Sequence, residues 1–206
     1  MIARWLATAL LIAALVPGAA HGLDFGHPGD GPWRGHIVDR ETGQPLEGVV
    51  VVAVWTKRYG SVGGLAGGGY FASEEVVTGA DGRFTIASLK KVLLEPFALL
   101  KGPQFYIFKG GYGDWKFSGQ EEWPKLDAFE MRKQLDKAFR RLNSEKGMVI
   151  ELPPLKTKEE RVRSIGHQEP GIDVPDSDVP KLMDAIDRER VSLGLQPLRP
   201  SFGDQK

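Results

Sequence analysis

The sequence contains no cysteine, and this absence excludes several kinds of protein. Disulfides cannot stabilise the fold, thiolates cannot bind a metal, and no cysteine can act as a nucleophile or carry a lipid anchor. Histidine is also scarce, with 4 residues in 206. A hydrophobic core must therefore hold the folded chain together, and a catalytic or metal centre based on histidine can use only these four residues.

Net charge and long apolar runs are lacking as well. The 27 lysines and arginines balance the 27 aspartates and glutamates, so the formal net charge at pH 7 is +0. This balance gives no reason to expect nucleic acid or an anionic membrane as a partner. A membrane-spanning helix needs about 20 consecutive apolar residues. No segment meets that requirement, so we expect no membrane span in the mature protein.

The first 20 residues have the three-part organisation of a secretory signal peptide. Arg4 supplies a positive charge, residues 5–16 are mainly apolar, and residues 17–20 are small or proline. This order of charge, apolar run and small-residue exit is the one that directs export. We expect cleavage after Ala20 or Gly22, with export of the mature protein to the periplasm or the extracellular space.

Short apolar segments between turn-forming residues predict a mainly β fold. The segments alternate or are apolar throughout, and glycine, proline and aspartate separate them. Segments 74–78 and 83–87 should pair as a hairpin, and the glycine-rich segment 56–72 should be a long loop. The predicted strands are 33–39, 49–55, 74–78, 83–87, 104–109, 115–117 and 148–152.

Three segments in the second half of the chain predict helices. Residues 126–142 carry apolar side chains at helical spacing. Thr157 and Glu160 have the spacing of a capping box at the start of a short helix. Asp178 is expected to cap a third helix that ends at Gly194.

Residues 49–55 are apolar without interruption, which is unusual for a strand that meets water on one face. Such a strand must be covered on both faces. One cover is the interior of the domain, and the other has to come from elsewhere in the chain. The apolar stripe of 126–142, with Leu135 and Phe139, is the expected source of that second cover.

Several short motifs occur at the spacings found in one family of small β domains. A strand ends in Val-Asp, a Thr-Gly turn follows, Pro-Leu-x-Gly precedes the next strand, and Thr-x-x-x-Gly-x-Phe comes later. This pattern resembles the carboxypeptidase regulatory-like domain, a β-sandwich related to transthyretin. The residues that carry the resemblance are Val38, Asp39, Thr42, Gly43, Pro45, Leu46, Gly48, Thr78, Gly82 and Phe84.

The resemblance implies a mainly β fold, namely a seven-stranded transthyretin/Ig-like β-sandwich with an inserted helix. The sandwich would cover residues 21–154, with the inserted helix near 125–142, and residues 155–206 would form a helical C-terminal extension. The family takes its name from domains appended to zinc carboxypeptidases, but this sequence lacks the His-x-x-Glu motif. We therefore expect a non-catalytic interaction module of the cell envelope that binds a protein or a glycan.

Two other functions are open at this point. Cleavage after Ala20 would make His21 the first residue, and its amine and imidazole can chelate copper, as in a copper-dependent oxidase. Alternatively, the C-terminal helices could dock on a larger assembly, which would make the chain a structural scaffold subunit.

Few residues are candidates for a binding site. His21 and His36 each precede an aspartate by three residues, but residues at that spacing in an extended chain lie about 10 Å apart. We therefore predict no metal site and no cofactor, and no Ser/His/Asp set predicts a catalytic site. Aromatic side chains in glycine-rich segments can stack on a sugar or a peptide. The candidates of this kind are Tyr59, Tyr70, Tyr112 and Trp115.

Overall fold

The computed structural model describes residues 31–61, 64–90, 93–95, 98–118, 120, 125–165 and 174–199. The expected signal peptide and His21 lie outside these residues. Within them the chain is mainly β, with two sheets and three α-helices. The strands are β1 (Trp33–Asp39), β2 (Val50–Ser61), β3 (Gly64–Val77), β4 (Arg83–Ile86), β5 (Ala98–Phe108), β6 (Lys116–Phe117) and β7 (Met148–Leu152). The helices are α1 (Ala128–Leu142), α2 (Lys158–Ile165) and α3 (Pro180–Ser192).

The strands form a four-stranded sheet, ordered β4-β1-β7-β6, and a three-stranded sheet, ordered β3-β2-β5. Strands β1 and β7 are parallel, and the other neighbours are antiparallel. The bounds of β1 and β7 are those that the sequence predicts. None of the helices among the described residues is long and apolar enough to cross a membrane.

The predicted hairpin of β3 and β4 is wrong, because the two strands belong to different sheets. Residues 78–82 carry the chain from one sheet to the other. The buried Thr78 hydroxyl fixes this crossing, since it accepts a hydrogen bond from the Val49 N–H (2.9 Å) and donates one to the Leu46 carbonyl (2.7 Å). Alternation in a strand shows which face is buried but does not identify the neighbouring strand.

The predicted loop 56–72 is also wrong. Strand β2 runs on to Ser61 and β3 begins at Gly64, so most of this segment is a two-stranded antiparallel ribbon. The start of β5 lies along the same ribbon and pairs with β2 as far as Tyr59. Glycine disfavours strands through backbone entropy, but the ladder of backbone hydrogen bonds does not depend on side chains.

The two sheets bury one hydrophobic core between them. The Trp33 and Trp55 rings, one from each sheet, lie with centroids 5.6 Å apart. Helix α1 packs against this core, because the Phe139 ring lies 6.3 Å from Phe105 and 5.7 Å from Phe117. Further members of the core are Ile37, Val51, Ala53, Phe84, Ile86, Ile107, Ala138, Leu142, Ile150 and Leu152.

A second apolar cluster covers the other face of β2. Val50, Val52 and Val54 are fully buried there. The expectation that this strand is covered on both faces is confirmed, but the helix that covers the second face is α3 and not α1. The stripe of α1 is already used in the core between the sheets. The cluster also contains Tyr106, Phe108, Ile165, Val179, Leu182, Met183, Ile186 and Leu193.

A side chain from β3 caps α3. The Glu75 carboxylate accepts hydrogen bonds from the Lys181 N–H (2.7 Å) and the Leu182 N–H (3.1 Å). Glu75 faces α3 because it pairs in register with Val52 on the covered face. The predicted cap, Asp178, makes no such bond and instead precedes the helix in a short 3-10 turn.

The capping box of α2 is confirmed. The Thr157 hydroxyl accepts from the Glu160 N–H at 3.1 Å, and the Glu160 carboxylate accepts from the Thr157 N–H at 3.0 Å. This reciprocal pair satisfies two donors at the start of the helix. The motif could be read from the sequence because all of its atoms lie within four residues.

The role of α3 as the cover can be tested by truncating its buried face. We expect Ile186→Ala to lower the free energy of unfolding by about 2–5 kcal/mol, because Ile186 is fully buried against β2 and its loss leaves a cavity. The control is Val191→Ala on the same helix, where the side chain is 59% exposed and the change should stay within about 0.5 kcal/mol. Equal midpoints in chemical denaturation for the two variants would contradict this packing.

Candidate functional site

The tyrosines at 70 and 112, predicted as ligand-binding residues, are engaged in hydrogen bonds within the chain. The Tyr70 hydroxyl donates to the Asp178 carboxylate at 2.6 Å, and the Tyr112 hydroxyl donates to the Asp39 carboxylate at 3.0 Å. Burial, and then the neighbouring carboxylate, raises the pKa of each phenol. Both phenols therefore stay protonated and link distant segments of the fold.

Tyr59 and Trp115 occupy two further, separate environments. The Tyr59 hydroxyl donates to one oxygen of Glu95, while the Lys57 ammonium lies 2.5 Å from the other oxygen. The Trp115 ring packs edge-on against Phe117, with centroids 5.2 Å apart. Each of the four predicted aromatic residues thus has its own partner inside the chain.

His36, the other predicted metal candidate, lies in the middle of β1. Its neighbours across the sheet are Arg83 on β4 and Val149 on β7, and neither is a metal ligand. Within the described ranges, no three residues of the types His, Asp, Glu and Cys are placed to hold a metal ion together. His21 lies outside the described residues.

Asp39 is a buried carboxylate, 8% exposed, with a structural role. Its oxygens accept hydrogen bonds from the Glu41 N–H (2.8 Å), the Thr42 N–H (2.9 Å) and the Tyr112 hydroxyl. Burial alone would raise the pKa of Asp39, but these hydrogen bonds outweigh it and hold the pKa below its usual range. The charged carboxylate closes the turn after β1.

Glu189 is the second buried carboxylate, 7% exposed, and it joins three segments. The Arg161 guanidinium binds it through two nitrogens at 2.7 and 2.8 Å, and the Gly111 N–H donates at 3.0 Å. Burial favours a higher pKa, but these donors and the arginine charge lower the pKa of Glu189 overall. The group ties α3 to α2 and to the turn after β5. Its partners lie 28 and 78 residues away, so no local sequence signal identifies them.

Among the described residues, the outer face of the four-stranded sheet is partly open to solvent, although Val38 at its edge is buried, unlike the covered face of the three-stranded sheet. Alternation buries Phe84, Ile37 and Ile150 inside and turns the intervening residues outward. We call the outward residues the open sheet face. They are Arg83 and Thr85 on β4, Arg34 and His36 on β1, Val149 and Glu151 on β7, and Lys116 on β6.

Positive charge predominates on the open sheet face. Arg34 and Lys116 make no ion pair within the described part of the chain, and Arg83 reaches Asp81 only at 3.9 Å. Glu151 is the single carboxylate among the seven residues of the face. Cationic side chains in this state can pair with an anionic partner without first breaking an internal ion pair.

A groove of about 440 Å³ borders this face. We call this groove the basic groove. Its lining residues are Ser118, Arg141, Ser144, Lys146, Gly147, Met148 and Val149. Because Val149 also belongs to the open sheet face, the groove and that face form one continuous surface.

Gly147 brings the basic groove against β1. It has a positive φ of 69°, which glycine adopts without steric cost. A Cβ at this position would lie 2.7 Å from the Arg34 carbonyl oxygen. Only glycine therefore allows the connection from α1 to β7 to lie this close to the backbone of β1.

Comparison of the chain with protein-family models, with curated proteins and with solved structures found no match. The candidate site accordingly rests on the geometry and charge of the open sheet face and the basic groove.

The Glu189 ion pair predicts a pH dependence of stability. The pKa of Glu189 in the folded protein is lowered from about 4.5. The charged carboxylate therefore stabilises the fold above pH 4.5, and this stabilisation is lost as the pH falls through the lowered pKa. We expect Glu189→Gln to lower the free energy of unfolding at pH 7 by about 2–3 kcal/mol and to flatten its decline below pH 4.5. The exposed control, Glu159→Gln on α2, should keep the wild-type profile. Parallel profiles for Glu189→Gln and wild type, measured by denaturation from pH 7 to pH 3, would contradict the assignment.

Proposed function

We propose that the chain is an exported, non-catalytic interaction module of the cell envelope, which binds a protein or a glycan through the open sheet face. One observation carries this proposal. Helices of the chain cover the outer face of its three-stranded sheet, whereas among the described residues the outer face of the four-stranded sheet is partly open to solvent. The side chains of that open face are largely free of partners within the described residues.

The proposed architecture is a seven-stranded, transthyretin-like β-sandwich of the carboxypeptidase regulatory-like type. Support comes from the roles of the motif residues. The three motif glycines, Gly43, Gly48 and Gly82, all have a positive φ near 70°. Asp39 accepts the Thr42 N–H, and Thr78 bonds across to Val49. The glycines, Asp39 and Thr78 of the motif thus each occupy a position in a turn that favours that residue type.

A non-catalytic role is supported by the state of the two buried carboxylates. Among the described residues, Asp39 and Glu189 are the buried carboxylates, and burial can favour acid–base chemistry. Hydrogen bonds from the chain engage both oxygens of each, and a lowered pKa keeps both charged. Their geometry suits a structural role better than proton transfer.

Charge reversal on the open sheet face tests the proposed binding surface. A glycan and peptide array probed with the mature protein should give ligands whose signal falls at least about tenfold for Arg34→Glu/Arg83→Glu. The single-site control, Arg188→Glu, places the same change on the exposed side of α3 and should keep the wild-type pattern. If wild type, the double variant and the control bind the same ligands equally well, the binding surface lies elsewhere.

Export is tested by sequencing the N-terminus of the protein recovered from the medium or the periplasm. We expect the mature chain to begin at His21 or Leu23, because cleavage is expected after Ala20 or Gly22. A secreted chain that retains Met1, or a chain found only inside the cell, would contradict the signal-peptide interpretation.

A further inference from the structure

The basic groove combines two cationic side chains with the partly exposed Val149. The side chains of Arg141 and Lys146 make no ion pair among the described residues, and the Ser118 hydroxyl has no hydrogen-bond partner there. We propose that this groove binds the carboxylates of an acidic peptide segment of a protein partner. The inference rests on the proposed function and specifies the partner of the same surface.

The lining supplies each interaction that a carboxylate needs. A guanidinium can hold both oxygens of a carboxylate at once, and an ammonium adds a second positive charge. The Ser118 hydroxyl is available as a further donor. Ser144 is not, since its hydroxyl already donates to the Arg141 carbonyl at 2.7 Å. That bond closes the end of α1 and fixes the backbone from which the Arg141 side chain extends.

The lining of the groove favours a peptide over a sugar. Val149 is 40% exposed and offers aliphatic surface to an aliphatic side chain of the ligand. The lining contains no aromatic ring that could stack on a sugar face. The volume lies within the range of roughly 300–1,000 Å³ that is typical of sites for small ligands.

A second groove among the described residues does not share this preference. It measures about 310 Å³, and Asp114 and Glu160 line it together with Lys116 and Arg163. Its charges of opposite sign balance, whereas the lining of the basic groove contains two cations and no carboxylate. A segment seated in the basic groove can continue across Val149 onto the open sheet face, where Val149 pairs in register with His36.

Fluorescence anisotropy with a labelled pentapeptide, Glu-Glu-Val-Glu-Glu, tests the proposal on the mature protein. We expect the Kd to rise at least about tenfold for the double variant Arg141→Ala/Lys146→Ala. The matched control is Arg140→Ala, which removes the neighbouring exposed arginine of α1 outside the groove and should leave the Kd within about twofold of wild type. A thermal melt of each variant establishes that all are folded.

Three results would overturn the assignment. These are equal affinity for wild type and the double variant, equal losses for Arg140→Ala and the double variant, and displacement of the peptide by inorganic phosphate or tri-galacturonate at equal concentration. Peptide affinity that depends on Arg34 and Arg83 but not on Arg141 would reject the groove and leave the proposed function intact. Loss of affinity only in the groove variants, with an array pattern insensitive to the open sheet face, would reject the proposed function instead.

Discussion

Strand β2 buries apolar side chains on both of its faces, and the arrangement of the other elements follows from that requirement. Val51 and Ala53 face the core shared with the four-stranded sheet, while Val50, Val52 and Val54 face α3. Each buried valine stabilises the fold by about 1.5–3 kcal/mol relative to exposure. The helices after β7 are therefore needed to cover the second face, and the chain becomes layered as helix, sheet and sheet.

Polar contacts at the rim determine where α3 lies on that face. Apolar burial is non-directional, so it holds the helix down without fixing its position. Glu75 binds the first turn of α3, and the Glu189–Arg161 pair ties its last turn to α2. Hydrogen bonds reach both oxygens of the buried Glu189 carboxylate, which is the condition under which a charge can be kept inside a protein.

Local patterns in the sequence predicted those features whose atoms lie close together along the chain. The bounds of β1 and β7 and the Thr157 capping box are of this kind. The pairing of β3 with β2 rather than β4, and the choice of α3 over α1 as the cover, depend on contacts between distant segments. The open sheet face could be predicted in part from the sequence, because β1 and β4 alternate polar and apolar residues. The basic groove could not be predicted, because it depends on the close approach of Gly147 to the Arg34 backbone.

The zero net charge of the chain conceals a local separation of charge. Cations predominate on the open sheet face and in the basic groove, whereas Asp176, Asp178 and Glu75 gather at the start of α3 on the other sheet. At physiological salt the Debye length is about 8 Å, so a partner responds to the charges it touches rather than to the total. Charge balance over the whole sequence therefore does not argue against an acidic partner at this surface, where Arg141 and Lys146 would each gain a carboxylate partner on binding.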